Sequence, residues 1–81
     1  MARKLEPTDA RGWLALGDEH TKRGAPADAV HAYREAAVLY QREGMYLKAI
    51  ALYKQILVIA PSDSDAAKQL ADLHRVLGLT E

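Results

Sequence analysis

Apolar positions along this chain recur three and four residues apart, not in the two-residue alternation of a strand. Ala29, Val30, Tyr33, Ala36, Ala37 and Tyr40 make one such stripe, and Ala49, Ile50, Tyr53, Ile56 and Leu57 make another. Proline and glycine punctuate the pattern into four helices, predicted over 9–22, 26–42, 46–59 and 63–77. Thr8 or Asp9 is placed to cap the first helix, and Gly24 to close it in the left-handed conformation. Pro26 suits the first turn of the second helix, which stops at Gly44. Pro61 forces the residue before it out of helical geometry and so ends the third. The stretch Pro61–Ala67 then offers capping serines, Ser62 and Ser64, and acids for the first turn of the fourth.

The loops between these helices are only a few residues long, which makes chain neighbours antiparallel. The expected fold class is therefore all-α: antiparallel helical hairpins, a lead-in over 1–8 and one domain over 9–81. The third helix also carries Leu47, Leu52, Val58 and Ile59 around its circumference. A helix apolar on most sides is expected to be buried on most sides, so the third is expected to be the central one.

The chain also repeats itself. Moved forward by 20 residues, Ala29, Val30, Tyr33, Arg34 and Val38 fall on Ala49, Ile50, Tyr53, Lys54 and Val58. Trp13, Leu16, Gly17 and His20, followed by Ala29 and Tyr33, form a first set. Tyr33, Ala36, Ala37, Tyr40, Ala49, Tyr53 and Pro61 form a second, and Ala67, Leu70, Ala71 and His74 begin a third. In these residues the chain resembles the tetratricopeptide repeat (TPR) family, whose units of 34 residues pair two helices. Tyr33 to Ala67 is the regular 34 residues, whereas Trp13 to Tyr33 is only 20, so the array is compressed and the second helix carries both signatures. The resemblance implies an α-solenoid fragment. Small residues (Gly17, Ala37, Ala71, Ala29 and Ala49) would lie where helices cross, and aromatics would fill the spaces between.

Composition narrows the function. The 81 residues include 11 basic and 11 acidic side chains, a net charge of zero, which argues against nucleic acid as a partner. The absence of cysteine excludes disulfides, zinc–thiolate sites and a thiol nucleophile. The longest apolar run, Ile56–Ala60, is too short to span a bilayer, and the first residues lack the apolar core of a secretory signal. A soluble cytoplasmic protein without membrane association is expected. No phosphate loop, H-E-x-x-H or EF-hand pattern occurs, so no enzyme activity, metal or cofactor is expected. His20 and His74 occupy positions where the family packs an aromatic. Tyr33, Tyr40, Tyr46 and Tyr53 read as core.

What the resemblance implies about function is a scaffold that binds a peptide or a helix of another protein in a groove. Carried onto this chain, groove positions fall on Arg11, Leu14, Asp18 and Thr21 of the first helix. On the second they fall on His31, Arg34, Val38 and Gln41, and on the fourth on Asp65, Lys68, Asp72 and Arg75. One subtype of the family holds a C-terminal carboxylate with paired asparagines and lysines. This chain contains no asparagine, so that ligand is not expected. The alternative is self-association into a homo-oligomer through the apolar end of the fourth helix, at Leu73, Val76, Leu77 and Leu79, because an end helix has a face with no neighbour.

Overall fold

The computed structural model describes residues 7–78; the lead-in before Pro7 and the expected apolar position Leu79 lie outside the described residues. The chain is all-α, with four helices: α1 (Ala10–Lys22), α2 (Pro26–Arg42), α3 (Tyr46–Ile59) and α4 (Ser64–Val76). Among the described residues there is no strand.

Local chemistry explains the boundaries. Asp9 caps α1, its Oδ1 accepting from the Gly12 N–H at 2.8 Å. Gly24 and Gly44 sit at φ +73° and +77°, left-handed values that turn the chain back after α1 and α2. α3 ends at Ile59, two residues before Pro61. At α4 the cap differs from expectation. Asp63, not a serine, accepts the Ala66 N–H at 2.8 Å. A carboxylate there also interacts with the positive end of the helix and with a nearby arginine, which a hydroxyl cannot match.

Each helix packs mainly on its neighbours in sequence, α1 on α2, α2 on α3 and α3 on α4, giving an elongated body of 52 × 26 × 16 Å. α2 lies between α1 and α3, and its interior is almost all alanine and tyrosine. Ala29, Ala32, Tyr33, Ala36, Ala37 and Tyr40 are buried. Alanine lets backbones approach, and the tyrosine rings occupy the remaining volume. Gly17 of α1 lies directly beneath the Tyr33 ring. Ala49, Tyr53 and Ile56 of α3 complete the centre.

Two expectations are corrected. Ala71 is exposed rather than at a crossing, because among the described residues nothing packs on that side of α4. α3 is not buried on most sides either. It has partners on two flanks, α2 and α4, and Leu47 and Val58 on its outer side remain 68% and 74% exposed. No helix among the described residues is long and apolar enough to cross a membrane.

Candidate functional site: the cleft between α1 and α3

The zigzag gives the body two broad faces. α2 and α4 share one, because Arg34 on α2 reaches the start of α4. Its guanidinium holds Asp63 through two hydrogen bonds, Nη1–H to Oδ1 at 3.2 Å and Nη2–H to Oδ2 at 2.5 Å, and donates to Asp65 at 2.7 Å. α1 and α3 share the other face. Between them runs an open cleft of about 400 Å³, lined by Leu14 and Asp18 of α1, Tyr40 of α2, and Lys48, Ala51, Leu52 and Gln55 of α3.

The expected groove residues therefore do not form one surface. Leu14 and Asp18 line the α1/α3 cleft, and Arg11 lies beyond its end, among Asp9, Glu43, Met45 and Lys48. Thr21 turns inward, donating to the Gly17 carbonyl at 2.9 Å. His31 sets its ring edge-on to Trp13, centroids 5.6 Å apart and planes at 86°, and works as packing. Gln41 accepts the Tyr53 hydroxyl at 2.6 Å. Val38 is half-buried on α2. Asp65 and Arg34 are engaged with each other, and Lys68 and Arg75 both lie against Asp72 on the outside of α4, each at 3.2 Å. His20 and His74 are half-buried, and Tyr33, Tyr40 and Tyr53 are core residues with Tyr46 half-buried beside them.

Protonation states follow from these contacts. Arg34, followed by the Ala66 N–H, holds the Asp63 carboxyl below the usual carboxylate range; its partial burial works the other way and is outweighed. Lys68 and Arg75 hold Asp72 below that range too. Burial pushes the Tyr33 phenol above its ordinary value, helped by Asp18, which accepts its hydroxyl at 2.5 Å. Burial does the same to Tyr53. Each of these perturbed groups has a structural partner, and among the described residues no three histidine, aspartate or glutamate side chains converge as a metal-ligand set.

The residues that reading the sequence missed are those of α3. Ala51, Lys48 and Gln55 form one wall of the cleft, with Leu52 at its base and Leu47 and Val58 on the ridge above. Their signal in the sequence is the excess of apolar residues around α3, part of which is open surface rather than core. No protein family, curated protein or solved structure matches this chain.

Proposed function

We propose that this chain is a non-catalytic docking module built from tetratricopeptide-like hairpins, holding a peptide or helix of a partner protein in the α1/α3 cleft. The observation that carries this reading is the exposed apolar surface of α3. Leu47 and Val58 lie beside a cleft whose lining includes Leu14, Ala51 and Leu52. Most large apolar side chains here are covered, so two uncovered ones on the same side of one helix, beside an apolar cleft, mark a surface for a partner. The tetratricopeptide likeness is supported by the packing of Gly17 under Tyr33 and by the full burial of Ala29, Ala37 and Ala49. A net charge of zero favours protein over nucleic acid as the partner, and a chain without cysteine suits a cytoplasmic setting.

A blocking substitution tests the reading. Ala51 is exposed within the cleft, so Ala51→Arg fills it without disturbing the core. A partner retained by the immobilised wild-type chain and lost from Ala51→Arg, at unchanged melting temperature, supports the cleft. Equal retention by both rules it out.

A second reading, self-association, is favoured by a separate observation. Met45, Leu47 and Leu77 line a shallow depression where α3 begins and α4 ends, and Val76 beside it is 66% exposed. Sedimentation over a hundred-fold concentration range checks it. A dimer that Leu47→Glu dissolves would establish pairing there, and a monomer throughout would exclude it.

A further inference from the structure

Resting on that docking reading, we infer that the cleft and outer ridge of α3 take an amphipathic helix of another protein whose apolar seam is flanked by carboxylates. The apolar half of the argument is spacing. Leu47, Ala51 and Val58 stand four and then seven residues apart, which puts them in line on one side of α3. With Lys54 these positions make the four-three-four spacing of a helix–helix seam, three apolar residues and one lysine, and Ala51 lets a second backbone come close. The line covers 12 residues, 11 steps or roughly 16 Å at 1.5 Å per residue, which a partner helix of about three to four turns would match.

The charged half fixes what flanks the seam. From Gly44 to Ser62 every charged residue is a lysine, Lys48 and Lys54, and both are exposed. Of the other cations on the described surface, Arg23 sits on Glu19, Arg34 on Asp63 and Asp65, and Lys68 and Arg75 on Asp72, whereas Arg11, Lys22 and Arg42 form no ion pair among the described residues. Neither lysine of α3 has such a partner among the described residues. Lys48 lies over the Tyr40 ring, its ammonium 5.5 Å from the centroid. On the opposite wall the Asp18 carboxylate accepts the Tyr33 hydroxyl, so the cleft itself carries one charge of each sign and the excess of cations belongs to α3. Lys48 beside the apolar line and Lys54 within it, on a helix with no acid of its own, are complementary to a helix that carries acids along its seam.

The same charges disfavour a second copy, since α3 laid against α3 would gather four lysines with no acid from either helix.

Two 18-residue synthetic peptides with the same leucine seam provide the test, one with glutamate and glutamine on its flanks, the other with lysine and glutamine. Binding to the full chain is read by fluorescence anisotropy. The expected result is at least ten-fold tighter binding of the glutamate peptide, weakening in 0.5 M salt, lost in Val58→Asp and reversed in preference in Lys48→Glu/Lys54→Glu. Equal binding of both peptides, lost in Val58→Asp, would overturn the acidic partner while leaving the docking surface standing. Binding of neither peptide would overturn both. So would a Val58-dependent dimer that excludes the peptides, or attachment to phosphatidylserine vesicles that the glutamate peptide does not displace.

Discussion

Gly17 lies under the ring of Tyr33 so closely that a Cβ would stand 2.6 Å from both Cδ1 and Cε1. The ring cannot retreat, because it is itself 97% covered, with only 3% exposed, and its hydroxyl is tied to Asp18. Gly17→Ala should therefore destabilise the fold by about 1–3 kcal/mol, the usual cost of overpacking, although alanine favours helix more than glycine does. Urea unfolding followed by circular dichroism measures this, and a stabilised variant would show that the ring has room. Asp63 is the other decisive residue, both cap of α4 and partner of Arg34. Its pKa is lowered on folding, so its stabilising contribution is complete above the unfolded value near 4 and is lost as pH falls through the folded value. Asp63→Asn keeps the cap acceptor but not the charge. The stability gap between wild type and this variant should be constant from about pH 5 to 7 and shrink below about pH 4. A gap that stays the same as pH falls through this range would mean that the ion pair contributes nothing.

Helix boundaries depend on short-range chemistry, and here they were legible. The expected ends of α2 and α3 coincide with the observed ones, and those of α1 and α4 differ by single residues, Asp9, Asp63 and Leu77 serving as caps. Gly44 shows why such punctuation can be read. No heavy atom other than its neighbours lies within 4 Å of a Cβ placed there, yet its φ of +77° is unfavourable for any residue with a side chain. Gly44→Ala should cost about 1–2 kcal/mol through backbone strain alone, with no change in packing. Thermal melts of Gly44→Ala and Gly17→Ala, paired with their crystal structures, would separate strain from crowding. The faces of the helices were less legible than their ends. The stripe on α2 was read correctly because alanines and tyrosines there meet helices on two sides. α3 also meets partners on two flanks, but it carries apolar residues on a third side as well, and there Leu47 and Val58 stay outside.

At the scale of the molecule, contacts run from each helix to the next, so stability is close to a sum of neighbour terms. α4 is the weakest member of that series. Only Ala66 and Leu73 of it are buried, and its hold on the rest comes from α3 and from the Arg34 clasp. Amide hydrogen exchange should find α4 opening well before α2. Arg34→Met should quicken exchange in α4 by about five-fold, the equivalent of about 1 kcal/mol for a half-buried ion pair, while leaving α1 amides unchanged. Uniform acceleration through all four helices would mean that the body opens as one unit.

Sequence alone determined what depends on neighbours along the chain: four helices and their approximate ends, the antiparallel zigzag, and the small and aromatic residues that interlock from Gly17 to Tyr53. These features rest on backbone dihedrals, single-residue capping and side-chain volume, all of which act within a few residues or between adjacent helices. Tertiary structure decided which faces meet. It divided the expected groove residues between two sides of the body and engaged Arg34 with Asp63 across 29 residues of chain. It also left the ridge of α3 open beside Leu14 and Asp18. The periodicity of a helix records that a stripe is apolar, but whether another helix covers that stripe depends on how many neighbours the fold supplies, and that number is a property of the whole molecule.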